Sequence, residues 1–105
     1  MSKSNTKVKS KIQEIFDKGT KFVSKSFVAF FLFSDRFEPI VIASKKVGNA
    51  VKRNRCKRRL REISRLYLKK YNIKLILIAR GETSILDFSV LLRDCNNLIK
   101  KIEKS

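Results

Sequence analysis

Six arginines, Arg53, Arg55, Arg58, Arg59, Arg61 and Arg65, crowd positions 53–65 of the chain. Lysines flank them, so residues 45–70 hold twelve cations against one acid, Glu62. A guanidinium is a planar fork that takes two phosphate oxygens at once and stacks on bases, whereas lysine adds a point charge. The chemistry this cluster offers is therefore phosphate binding. Bond-making chemistry has no comparable support. The chain contains no His, which removes a His-based nucleophile triad, a His proton shuttle and a His-ligated metal. Its carboxylates are scattered, and they assemble neither a general acid/base pair nor a metal cage. Cys56 and Cys95 have no metal-ligand spacing and no disulfide framework, and read as small buried hydrophobes in a reducing cytoplasm. No catalytic residue and no metal ligand is expected.

Those cations belong to a chain of 105 residues with 26 Lys+Arg, 9 Asp+Glu and a formal charge of +17. Residues 1–105 read as a single small domain, with 1–8 as a flexible basic tail. A composition 43% hydrophobic, with eight Phe, can build a core, and three Gly with one Pro argue against disorder. A folded domain carrying this charge repels itself, which an anionic partner would offset. A membrane is a poor candidate for that partner. The longest apolar run, Phe27 to Phe33, is far short of the roughly 20 residues a spanning helix needs. The first residues lack the apolar stretch of a secretory signal, so a cytoplasmic location is expected.

Periodicity supplies the elements that must position the cluster. Ile12, Ile15 and Phe16 recur at helical spacing within residues 9–18, a short helix stopped by Gly19. Residues 21–23 can add a short edge strand. Residues 27–33 read as a strand with Phe27, Ala29, Phe31 and Phe33 on one side and Val28, Phe30 and Leu32 on the other. A turn at Asp35–Arg36 precedes a strand over 39–44. Asn49 caps a long helix reaching about Lys70, and a strand follows over 73–79. Ser84 with Asp87 resembles a capping box before a last helix striped by Phe88, Leu91, Cys95, Leu98 and Ile102. The order is α-β-β-β-α-β-α, an α+β domain with its helices packed on one face of a four-stranded sheet.

On the long helix, Asn49, Cys56, Leu60, Ile63 and Tyr67 share a core-facing stripe. Asn54, Lys57, Arg58, Arg61 and Arg65 lie opposite, flanked by Arg53, while Arg55, Arg59 and Glu62 fill a third sector. An ordinary solvated face mixes signs at i,i+4 spacing, and this one does not. Ahead of it, Lys45, Lys46 and Gly48 lead into a helix N-terminus, where free N–H groups can also receive phosphate.

The segment SKKVGNAVKRNRCKRRLRE, Ser44–Glu62, resembles the signature of the protein subunit of bacterial ribonuclease P, with Arg53-Asn54-Arg55 as its core. Ile15-Phe16 with Gly19-Thr20, Phe27-Val28 and Leu75–Arg80 resemble further parts of that family in the same order, and Ile12 stands where the family often has an aromatic. The resemblance implies the α-β-β-β-α-β-α fold with a left-handed β-α-β crossover, against the usual hand. It implies the accessory subunit of a ribonucleoprotein endonuclease that removes the 5′ leader from precursor tRNA. In that family the RNA is the catalyst and uses Mg²⁺, so the protein needs no cofactor site of its own. The implied partners are the catalytic RNA and precursor tRNA. A cleft formed by Ile12, Phe16, Val28 and Phe30, flanked by Arg53, Lys57 and Arg61, would hold the unpaired leader. Lys45, Lys46, Asn54, Arg55, Arg58 and Arg65 would face the catalytic RNA. The alternative is a structural ribosomal protein on folded rRNA; a sequence-specific DNA-binding module fits less well, because charge covers most of the outer helix surface.

Overall fold

The computed structural model describes residues 12–105. The expected basic tail 1–8, and residues 9–11 of the expected first helix, lie outside them. Helix α1, described over residues 12–18, stops at Gly19, whose N–H donates to the Ile15 carbonyl at 2.8 Å. A side chain has no room there. A Cβ would stand 2.3 Å from the Ile15 carbonyl oxygen and 2.9 Å from that of Phe31. The chain can thus leave α1 directly into strand β1, Thr20–Val23.

Strands β2 (Phe27–Phe33), β3 (Glu38–Ile42) and β4 (Ile73–Ala79) complete a mixed sheet in the order β1-β2-β4-β3. β2 is antiparallel to both neighbours, with Phe30 opposite Lys21 on β1 and Ile76 on β4. β3 runs parallel to β4, with Ile40 opposite Ile76. Parallel neighbours require a crossover, and helix α2, Ala50–Ile63, provides it. β3 begins one residue before the expected 39–44 span and ends two residues before it. It carries the exposed Pro39, a residue tolerated on an edge strand because it has no N–H to give to a ladder.

Side-chain alternation then divides the sheet into two faces. Phe27, Ala29, Phe31, Ile73, Leu75 and Leu77 enter the main core with Cys56, Leu60 and Ile63 of α2. Helix α3, Phe88–Lys104, closes that core with Leu91, Cys95, Leu98 and Ile102, the stripe expected for it. Each Leu or Ile fully buried this way contributes about 1.5–3 kcal/mol. The other face carries Phe30, Lys74 and Ile76, and α1 lies on it. There Ile15 is buried, Glu14 pairs with Lys74 at 3.1 Å, and Phe16 packs on Phe30. The expectation that all helices share one face holds for α2 and α3 and fails for α1. The reason is β4. Being central and apolar on both sides, it leaves Ile76 in need of its own cover.

Two helix details also differ from expectation. Cys56, Leu60 and Ile63 are buried as the stripe requires, but Tyr67 is 38% exposed and Leu68 is buried instead. Residues Ser64–Leu68 widen into a π-helical turn, which inserts one residue into the register and returns Leu68 to the core. Asn49 is likewise exposed; it caps α2 by accepting the Lys52 N–H at 2.9 Å. At α3 the cap is Asp87, which accepts the Ser89 N–H at 3.2 Å, while Ser84 is buried in the preceding loop. Hydrogen bonds from Ser89 hold the Asp87 carboxyl below its usual pKa. Among the described residues, no helix is long and apolar enough to cross a membrane.

Candidate nucleic-acid interface

The interface starts where the chain enters α2. Lys45–Val47 form a single 3-10 turn in which buried Val47 is the anchor, leaving Lys45 and Lys46 exposed. Gly48 follows at φ 146°, a conformation that favours glycine, and a Cβ there would meet the Lys52 side chain at 2.7 Å. With Asn49 capping, α2 then presents Asn54, Arg55, Arg58 and Arg61 to solvent and the π-helical turn after it adds Arg65, while Arg53 and Lys57 are half-buried. Among the described residues, no acid forms an ion pair with any of these cations. A groove of about 690 Å³ runs between Asn54, Arg58, Arg61, Glu62 and Arg65. A smaller one, about 300 Å³, is lined by Val51, Asn54, Arg55 and Arg58. Unneutralised cations lining a concave surface focus a positive potential onto it, which suits a phosphate chain.

Arg59 behaves differently from its neighbours. Its Nη1 donates to the Thr83 carbonyl at 2.9 Å, so it holds the loop before α3 instead of facing a ligand. Thr83 Oγ1 in turn donates to the Ser26 carbonyl at 2.5 Å and accepts the Arg80 N–H at 2.8 Å. Ser26 donates both its N–H, at 2.9 Å, and its hydroxyl, at 2.5 Å, to the buried carboxylate of Asp94. Burial alone would raise the Asp94 pKa; the bonds from Ser26 and the charge of Arg93 outweigh it and hold the carboxyl below its usual value. Sequence reasoning missed this chain of contacts. The available signal was one acid, Asp94, set among the apolar positions Leu91, Cys95 and Leu98 of α3.

The aromatic surface is only partly the one expected. Phe16 and Phe30 meet edge to face with centroids 4.7 Å apart, and Lys21 Nζ stands 5.8 Å from the Phe30 ring. Ile12, Phe16, Val28 and Phe30 are all half-buried, so each keeps some surface to offer. Among the described residues, no hydrogen bond, ion pair or ring contact links Arg53, Lys57 or Arg61 to either ring. Arg61 instead lines the groove with Asn54, Arg58 and Arg65, the helix side it shares with them, although the expected roles set it in the leader cleft and them on the catalytic RNA. Among the described residues, the cation that does approach the rings is Lys21, which the sequence reading did not single out. Buried Cys95 has its thiol pushed up to about 12 by desolvation, and Cys56 is equally enclosed.

Fold and surface together define a class: a small α+β domain whose crossover helix presents an unneutralised cationic face. The ribonuclease P family profile matches residues 2–103, and the chain belongs to that family. A Ribonuclease P protein component from Syntrophus aciditrophicus is 40% identical over 60 residues, covering 55% of this chain and 50% of that protein. One from Nitratiruptor is 28% identical over 99 residues, covering 93% and 91%. Matches to the Thermus thermophilus proteins span 37% of those chains, so several relatives are matched over half their length or less. A solved Staphylococcus aureus RNase P protein superposes with a TM-score of 0.70 at 28% identity, covering 90% of this chain and 87% of that one. The Thermotoga maritima RNase P protein shares the fold with a TM-score of 0.76 at 24% identity, covering 90% and 93%.

Proposed function

We propose that this chain is the protein subunit of a ribonuclease P ribonucleoprotein that removes the 5′ leader from precursor tRNA in the cytoplasm. The observation that carries the reading is the face of α2 and the turn after it, where Asn54, Arg55, Arg58, Arg61 and Arg65 stand exposed with no acid among the described residues paired to them. On this reading that face, with Lys45 and Lys46, binds the catalytic RNA. The unpaired leader lies on the surface of Ile12, Phe16, Val28 and Phe30, where bases stack on rings while cations follow the backbone. Arg53 and Lys57 contribute charge between the two surfaces. The protein neutralises phosphates that would repel one another where RNA subunit and substrate meet. Hydrolysis belongs to the RNA, and Mg²⁺ bound to that RNA supplies the activated water.

The test is reconstitution with the ribonuclease P RNA of the same source. The protein should lower the Mg²⁺ concentration that the RNA needs to cleave precursor tRNA, and should cleave nothing by itself. Cleavage that follows the RNA-free protein through purification, or an unchanged Mg²⁺ requirement, overturns the proposal. Copurification with ribosomes in place of the catalytic RNA would favour the ribosomal alternative.

A further inference from the structure

At the far end of α2 a third groove, about 760 Å³, opens between the π-helical turn and α3. The turn creates it. By returning Leu68 to the core, the inserted residue swings Leu66 and Tyr67 outward, to 49% and 38% exposure. Tyr71 forms another part of the wall. Its hydroxyl donates to Glu103 on α3 at 2.6 Å, which fixes the ring, and Lys70 Nζ lies 5.3 Å from the ring centroid. That hydrogen bond raises the Tyr71 pKa to about 12, so the hydroxyl stays a donor and Glu103 stays engaged. Tyr71 is thereby committed to the wall, and Tyr67 is the aromatic left available. Arg65, Lys69 and Lys70 bring three cations against the single acid Glu103, and Asn96 adds an amide.

We infer that this groove seats an unpaired nucleotide of the RNA subunit, its base stacked on Tyr67 and its phosphates on Arg65 and Lys69. Two observations choose the occupant. The lining combines an exposed aromatic ring with excess positive charge, the pairing that holds single-stranded nucleic acid without reading its sequence. In addition, Arg65 lines both this groove and the Asn54–Arg58–Arg61 groove, so one cationic track runs along α2 into the tyrosine site. A strand docked on the α2 face continues past Arg65 to Tyr67. An acidic protein segment would use the cations but not the stacking surface. The inference rests on the RNA-subunit reading above and adds to it a site remote from the Phe16–Phe30 pair.

The chain has two tyrosines, both lining this groove, and no tryptophan, so a label on tyrosine reports on this place alone. With 3-fluorotyrosine incorporated, ¹⁹F NMR gives two signals, and Tyr67→Phe assigns them. Adding the ribonuclease P RNA without substrate should shift the Tyr67 signal, and later addition of precursor tRNA should leave it where it is. Tyr67→Ala should weaken binding of that RNA about tenfold or more, as expected for one lost stacking contact, whereas Tyr67→Phe retains affinity. Neither variant should alter the melting temperature, since Tyr67 is outside the core. A wild-type chain that binds the RNA with an unmoved Tyr67 signal, or a Tyr67→Ala variant with full affinity, overturns this inference alone. A signal that moves only with leader-bearing precursor tRNA assigns the groove to substrate and overturns it as well. Failure of the wild-type chain to bind the RNA at all would remove the proposed function and this inference together.

Discussion

At the scale of single residues, Phe16 and Asp94 give opposite tests. Phe16 is half-buried against Phe30, so removing it takes away part of the stacking surface and opens only a modest gap. Phe16→Ala is expected to weaken binding of precursor tRNA by about 1–3 kcal/mol per stacked base and to leave mature tRNA binding nearly unchanged. Affinities for both tRNAs with one holoenzyme, beside a thermal melt, check this; equal losses with a lower melting temperature would place Phe16 in the core. Asp94 is a stability residue. Asp94→Ala leaves the Ser26 N–H and hydroxyl without their acceptor, a loss of about 1–3 kcal/mol measurable by denaturant unfolding. Because its folded pKa is depressed, the Asp94 contribution is complete above the unfolded value of about 3.9 and is lost as pH falls through the lower folded pKa. Melting temperatures across pH 2–7 should fall more in the wild-type chain than in Asp94→Ala. Residue types alone revealed the cations and the aromatics. They could not reveal that Arg59 serves the Thr83 carbonyl, because that partner is 24 positions away and is a backbone atom.

At the scale of elements, α2 is a two-sided object and its sides separate by phenotype. Leu60→Ala and Ile63→Ala remove fully buried side chains and should cost roughly 2–5 kcal/mol each in unfolding experiments. Arg58→Ala and Arg61→Ala remove exposed cations, so they should leave the melting temperature nearly unchanged while weakening RNA binding. The π-helical turn sharpens the comparison. Leu68→Ala should behave like Leu60→Ala, although a regular helix starting from Ile63 would have assigned that place to Tyr67. Helical spacing made both long helices legible, and short apolar runs rich in β-branched and aromatic residues made three strands legible. The extra residue at Ser64–Leu68 left no mark on the pattern, because Leu66, Tyr67 and Leu68 are all apolar enough to serve. The side chosen by α1 was equally hidden: Ile15 states that the helix has a buried face, and only the central position of β4 states which surface it covers.

At the scale of the whole molecule, the +17 charge should appear as a steep salt dependence of RNA binding. Each cation on a phosphate contributes close to one unit to the slope of log affinity against log salt, so Arg58→Ala should flatten it by about 1. Phe16→Ala should leave the slope as it is. Titrations at several salt concentrations test both. Strand order was beyond the sequence, since pairing β2 with β4 across an intervening strand and helix is decided by the packing of the assembled sheet. The two ends of that sheet have a further consequence, for aggregation. β1 has four residues and carries Lys21, and β3 carries Pro39, so neither open edge is a good template for a strand from another copy. Pro39→Val would restore a hydrogen-bond donor to a β-branched edge, and light scattering of the RNA-free chain should rise with it. The self-repulsion of a highly cationic chain and the shape of its sheet edges thus act together to keep it dispersed until it meets RNA.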